Sequence, residues 1–159
     1  MSVIGITFGN TSSSIAVASA DGKVDVIANP DGDRSIPSAL SYIGADEYHG
    51  SQAEARLIRN PENTIVNFRD YIGKKFSEIN PNTTTGAKPK EINGEISYEI
   101  TNDGKTEILT VHEVAKRHFK QLKLAAEDFI GKNIEGVVLT VPTDFTEVQR
   151  QEIARIAED

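Results

Sequence analysis

The chain has 159 residues, 26% of them charged, with a formal net charge of -7 and no cysteine. That length suits one domain-sized lobe with a real core. The acidic balance argues against broad nonspecific nucleic-acid binding, so no DNA partner is expected. The absence of thiols excludes disulfides, thiolate metal sites and cysteine nucleophiles. No apolar run approaches the roughly 20 residues of a membrane helix, and the N-terminus lacks a basic-then-apolar leader. The expectation is a cytoplasmic protein with no membrane partner. Without a leader, the acceptor-like triplets at Asn10 and Asn82 carry no weight as glycosylation sites.

From Val3 to Phe8, the residues Ile4, Ile6 and Phe8 alternate with Val3, Gly5 and Thr7, a period of two that predicts a strand. Ile15 to Ala18 predicts a second. Between them lie Gly9, Asn10, Thr11 and three serines. Glycine permits backbone angles that other residues resist, and successive N–H groups in a tight turn make an anion-binding nest. Two readings stand here: a hairpin with a polar tip, and a phosphate loop. Asp21-Gly22 predicts a hairpin turn into a third strand at Val24, Val26 and Ile27. Asn29 to Asp33 is dense in turn formers. Asp31 and Asp33 do not continue into a calcium-loop pattern and read as a solvated turn.

Ile36 to Ile43 predicts another strand. Ser51, with Glu54 three residues on, predicts the cap of a short helix through Ile58, which Asn60-Pro61 ends. A second helix is predicted from Asn63 or Thr64, because Ile65, Phe68 and Ile72 share one helical face. Arg69 lies off that face, either reaching a cleft or solvated and paired with Asp70 or Glu62. Residues 80–86 predict a flexible loop. Short antiparallel strands follow, turned by Asn93-Gly94 and Asp103-Gly104.

Thr110 and Glu113 form a capping box that opens a long helix to about Ile130, with Gly131 placed to end it. Val111, Val114, Ala115, His118, Leu122, Ala125 and Phe129 mark its buried face. His118 reads as a core histidine with one hydrogen bond, in preference to a catalytic group. His112 points from another face, which argues against a metal pair. Lys116, Lys120 and Lys123, with Arg117 beside them, form a basic stripe. It is either a solvated helix face or a contact for RNA phosphates or an acidic partner. Val137-Val138-Leu139 predicts a buried sheet strand stopped by Pro142. Thr146 and Gln149 form a second capping box, opening a helix through Ile153, Ile156 and Ala157.

Gly5-Ile6-Thr7-Phe8-Gly9-Asn10-Thr11 resembles the Gly-Ile-Asp-Leu-Gly-Thr-Thr phosphate loop of the seventy-kilodalton heat-shock chaperone family. Val26 to Asn29 with Asp33 to Ser38, Asn60 to Thr64 with Tyr71 to Phe76, and Leu139 to Pro142 with Phe145 and Gln149 to Gln151 are similar to later motifs of that family, in the same order. Residues 77–109 match least. The resemblance implies an α/β fold: an actin-like (ribonuclease H-like) ATPase-domain lobe, a mixed sheet with helices plus a smaller α+β subdomain. It implies a core subdomain of residues 1–37 and 109–159 and an inserted upper subdomain of 38–108. The second lobe and any peptide-binding domain are expected outside this chain. The implied cofactor is ATP, with magnesium in the complete protein and weak or absent binding by this lobe alone. Gly9, Asn10, Thr11 and Ser12 are the implied phosphate-binding positions.

Two departures bear on chemistry. Thr7 stands where the family has an aspartate, and a hydroxyl supplies none of the charge that belongs beside metal-bound phosphates. Arg69 stands where the family has a catalytic lysine, and a planar fork does not replace a compact ammonium. No catalytic residue or metal ligand is therefore assigned in the chain. The pattern resembles an atypical, non-hydrolysing branch of the family that works in the fungal ribosome-associated complex. That likeness implies as partners the J-protein zuotin, the ribosome and, through a partner chaperone, nascent polypeptides. An active ATP-hydrolysing chaperone and a small-molecule kinase on the actin-like fold are the alternatives. No sugar-binding acid motif supports the kinase.

Overall fold

The structure is a computed structural model that describes residues 2–158. The chain runs through β1 (Val3–Phe8), β2 (Ser12–Ala18), β3 (Val24–Ile27), β4 (Ile36–Pro37), β5 (Ala39–Ile43) and β6 (Asp46–His49). Then come α1 (Gly50–Glu54), β7 (Thr64–Val66), β8 (Lys90–Ile92), β9 (Glu95–Asn102) and β10 (Lys105–Thr110), followed by α2 (Val111–Ile130), β11 (Gly136–Thr140) and α3 (Glu147–Glu158).

The first sheet has the order β11-β1-β2-β3, with β4 paired to the start of β2. β1 and β2 are antiparallel, with Ile6 opposite Ile15 and Phe8 opposite Ser13. β11 joins β1 in parallel, with Ile6 opposite Leu139 and Thr7 opposite Thr140. Two smaller antiparallel sheets have the orders β6-β5-β7 and β10-β9-β8. The predicted turns are present: Asn93, Gly94, Asp103 and Gly104 all have positive φ between hydrogen-bonded strands. Around Asn29, its side-chain oxygen accepts from the amides of Asp31 and Asp33, as in a solvated turn.

The alternation of β1 puts Ile4, Ile6 and Phe8 into one continuous core with Ile15, Ile65, Tyr98, Val114, Leu122 and Ile153. Each such side chain buried contributes about 1.5–3 kcal/mol. Phe8 lies edge-on to Phe119 at 4.9 Å between ring centroids, and Phe68 lies 5.8 Å from Phe8. Thr110 accepts from the Glu113 amide at 3.1 Å, and Gly131, in the left-handed region, closes α2. The Glu113 carboxylate completes no box. It accepts instead from Arg117, whose guanidinium also donates to Tyr42 Oη, Glu47 and Glu107 at 3.0–3.2 Å. One arginine thus joins α2 to β5, β6 and β10. The His49 imidazole, 2.5 Å from Glu47, holds that carboxyl down at about 2. Among the described residues, no helix is long and apolar enough to cross a membrane.

Several expectations are corrected. The helix predicted over 63–72 is absent. Thr64–Val66 pairs with the open edge of β5, Asn67 adopts φ 58°, and a single 3-10 turn covers Arg69–Tyr71. Thr64, Ile65 and Val66 are all β-branched, which favours strand pairing over the helical spacing. Ser51 does not cap α1. The N-cap is His49, without a side-chain cap bond, and the Ser51 hydroxyl donates to Asp33. Along α2, Phe119 and Ala126 are buried but Phe129 is 61% exposed, while Ile130 beside it packs against the core. Among the described residues β11 pairs with β1 alone, as an outer strand, so Val138 is exposed, not buried.

Gly73 sits at φ 75° under the first turn of α3, where a Cβ would lie 2.7 Å from the Gln149 Cα. Gly73→Ala is expected to destabilise the fold by about 2–4 kcal/mol. The check is a lower urea midpoint at unchanged m-value. A change within about 0.5 kcal/mol would mean that α3 does not seat on this segment.

Candidate phosphate-binding site

Between the last β1–β2 pair, Phe8 opposite Ser13, the chain turns through Gly9, Asn10, Thr11 and Ser12. The Gly9 amide donates to the Ser12 carbonyl at 2.9 Å. A Cβ on Gly9 would lie 2.3 Å from that same oxygen, so the turn admits only glycine there. The Asn10 and Thr11 amides donate to no group among the described residues. The four residues expected to bind phosphate therefore share one tight turn that offers unpartnered backbone donors. Thr7, just before it, lies exposed on the face opposite Ile6 and Phe8, beside Ser14 and Thr140 on the neighbouring strands.

Arg69 reaches this corner from a 3-10 turn, not from a helix. Its Nη1 donates to the Phe8 carbonyl at 3.4 Å, and its Nε and Nη2 both donate to Asp70 Oδ1, at 3.0 and 2.8 Å. The Asp70 amide lies 3.5 Å from Asn10 Oδ1. Gln149 holds the segment from behind, its side chain donating to the Ile72 carbonyl at 3.1 Å. Gln149 also completes the predicted box at the start of α3: its amide donates to Thr146 Oγ1, and its Oε1 accepts from the Thr146 amide, both at 3.2 Å. The structure thus brings Arg69 to the loop and fixes it there by three donated bonds.

Behind the loop lies a buried polar chain that the sequence reading did not assemble. His118 Nε2 is 2.9 Å from Ser13 Oγ, Ser13 Oγ is 2.8 Å from Ser38 Oγ, and Ser38 Oγ donates to the Gly9 carbonyl at 2.9 Å. The Ser38 amide donates to the Thr11 carbonyl at 3.0 Å. His118 was expected in the core and is there, with burial pushing its imidazole down to about 3. Ser13 carried a legible signal. It shares the strand parity of Ile15, which puts a hydroxyl on the core face, and a buried hydroxyl requires a partner.

The donor set suits a chain of phosphates: free amides, the Thr11 and Ser12 hydroxyls and a fixed guanidinium. It suits a divalent cation less well. Thr7 presents no carboxylate, and Asp70 Oδ1 is taken twice by Arg69. Lys116, Lys120 and Lys123 stay together along a groove of about 830 Å³ bounded by α2, α3, β1 and β11. Arg117 turns away from them into its carboxylate fan. His112 Nδ1 meets Glu152 of α3 at 2.7 Å, so the two histidines of α2 serve different contacts.

A mixed sheet carrying a glycine-pinned loop at the end of its first strand, with helices packed over it, defines an α/β lobe of the actin-like ATPase type. The Hsp70 protein family profile matches residues 3–158, and the chain belongs to the Hsp70 family. It is 58% identical over 150 residues to the ribosome-associated complex subunit SSZ1 of Saccharomyces cerevisiae, covering 93% of this chain and 28% of that protein. It is 45% identical over 164 residues to a heat shock protein 70 homologue of Schizosaccharomyces pombe, covering 99% and 29%. It is 31% identical over 163 residues to heat shock 70 kDa protein 14 of Danio rerio, covering 99% and 32%. The chain thus spans less than a third of the length of these relatives.

The buried imidazole makes stability depend on pH. Its folded value, about 3, lies below the ordinary 6.5, so the unfolded chain binds the extra proton in between. Its contribution is full above pH 6.5 and is lost as the pH falls towards 3. From pH 7 to 5, wild type is expected to lose about 2 kcal/mol more stability than His118→Leu. Denaturation curves at a series of pH values read this directly, and parallel curves would refute it.

Proposed function

We propose that the chain is the first lobe of an Hsp70-type chaperone that binds ATP through its complete domain without hydrolysing it efficiently. On this reading it acts in the cytoplasm with the J-protein zuotin at the ribosome, and assists nascent chains through a partner chaperone. The observation that carries the proposal is Thr7. It stands exposed at the end of β1, one residue from the phosphate-loop core, where the family resemblance calls for an aspartate. Similarity to a subunit of the ribosome-associated complex supports the ribosomal setting.

The geometry of the turn supports the proposed roles. Gly9 keeps the turn tight, and Asn10, Thr11 and Ser12 present amides and hydroxyls to the phosphates. When bound, ATP supplies the phosphoanhydride that active relatives cleave. Binding needs donors in place for the ground state, and the unpartnered Asn10 and Thr11 amides support that role. Hydrolysis needs charge arranged for the transition state. A threonine hydroxyl adds no charge there. Arg69 is occupied by Asp70 and the Phe8 carbonyl, so it is not free to orient a water as a mobile ammonium would. We also propose the division into a core part (1–37 with 109–159) and an inserted part (38–108). It is supported by the grouping of β1–β4 with β11 in one sheet and of β5–β10 in two others.

Single-turnover hydrolysis of radiolabelled ATP by the full-length protein tests the proposal. Wild type is expected to match a buffer control, and Thr7→Asp to exceed it by about tenfold or more. Turnover at an active chaperone's rate with Thr7 in place would overturn the non-hydrolysing reading.

A further inference from the structure

We infer that His118 is a positioning residue for the phosphate loop, acting through Ser13 and Ser38 on the Gly9 carbonyl. The inference rests on the proposed reading that this loop receives phosphate.

The direction of the chain is set at its loop end. A carbonyl oxygen only accepts, so the Ser38 hydroxyl must spend its proton on Gly9. Ser38 Oγ, having no second proton, then accepts from Ser13 at 2.8 Å. Ser13 Oγ, its proton also spent, accepts from His118 Nε2–H at 2.9 Å. The chain of bonds therefore runs one way, from the imidazole to the loop, and it places a proton on Nε2 of His118. Reversing any bond would put two protons, or none, between a pair of buried atoms. Ser13, Ser38 and His118 are all at most 2% exposed, so water does not compete for these bonds.

What the relay holds is the loop's shape. Ser38 grips it twice, by its hydroxyl at the Gly9 carbonyl and by its amide at the Thr11 carbonyl. With both carbonyls drawn towards the core side, the intervening Asn10 and Thr11 amides are left without internal acceptors. A second, independent contact points the same way. The His118 ring packs 5.6 Å from Phe8 and 5.8 Å from Phe68. Phe8 immediately precedes Gly9, and Phe68 immediately precedes Arg69. One buried side chain thus underlies both the loop and the arginine beside it. A leucine would fill much of the same space and would still pack on the two rings, but it has no proton to give Ser13.

The test uses the full-length protein and two readouts: hydrogen exchange of the loop's bonded amides, Gly9 (to the Ser12 carbonyl) and Ser38 (to the Thr11 carbonyl), and ATP affinity by calorimetry. His118→Leu and Ser38→Ala are each expected to speed loop exchange by about tenfold, with little change in the strands. The double variant should be no faster than either single one, because both break the same chain. His118→Gln, whose amide can still donate to Ser13, should keep the wild-type rate. ATP affinity should fall by about tenfold in the first two variants and hold in the third. A merely structural histidine would lower the melting temperature and leave the loop exchange, measured well below it, unchanged; that result overturns the inference. Additive effects in the double variant would overturn it as well. Should His118→Leu fail to fold, Ser38→Ala against His118→Gln decides the matter by the same exchange readout. A wild type that binds no ATP would defeat the proposed function, while the exchange data would still decide the relay.

Discussion

Strand β1 carries two duties on alternate residues, and the rest of the structure depends on keeping them apart. Ile4, Ile6 and Phe8 are at most 4% exposed, while Gly5 and Thr7 face away from the core. A slip of one residue would exchange the two sets. The register is therefore fixed from both sides, by Ile15 opposite Ile6 on β2 and by Leu139 opposite Ile6 on β11. Once Phe8 is seated among Phe68, Phe119 and His118, Gly9 falls at the point where the core ends. The loop's position is a consequence of apolar packing. Its chemistry is a consequence of the four residues that happen to come next.

The same logic explains which parts were legible in the amino-acid sequence. The β1–β2 arms, the Asp-Gly and Asn-Gly turns, and the capped start and glycine end of α2 are specified by residues within a few positions of one another. Short-range chemistry decides them. Residues 64–72 are different. Ile65, Phe68 and Ile72 fit a helical stripe, but Thr64, Ile65 and Val66 also fit a strand, and β5 offers them an open edge. No local pattern reports that edge. Arg69 still arrives at the loop, on a tight turn instead of a helix, because Phe68 is anchored on Phe8 and Gln149 grips the backbone beyond it.

The candidate site divides in a similar way. Gly9 to Ser12 are contiguous, and a reader of sequence finds them together. The groups beneath them are not contiguous: Ser13 meets Ser38 across 25 positions and His118 across 105. Each was visible only as an anomaly, a polar side chain at a position whose parity or helical phase points inward. Such anomalies say that a partner exists without saying which one. The fold supplies that, because β4 crosses onto the first residues of β2 and α2 covers the same end of the sheet.

The proposed separation of binding from hydrolysis has a physical basis in where the donors come from. The loop's free amides belong to the backbone, and the turn that exposes them is set by Gly9 and by the carbonyl contacts of Ser38. None of these depends on what residue 7 carries, since its side chain points to the other face of β1. Exchanging an aspartate for a threonine at that position therefore removes charge without disturbing the turn. Arg69 behaves differently. Its cation is retained, but its direction is spent on Asp70 and the Phe8 carbonyl, and a guanidinium held by three bonds stabilises the corner more than it serves a reacting group. On the proposed reading, a lobe altered at these two positions would keep an anion site preorganised by its backbone and lose the adjustable charges around it. That combination favours a nucleotide used as a structural ligand, whose binding energy holds a domain in one shape instead of being expended in a transition state.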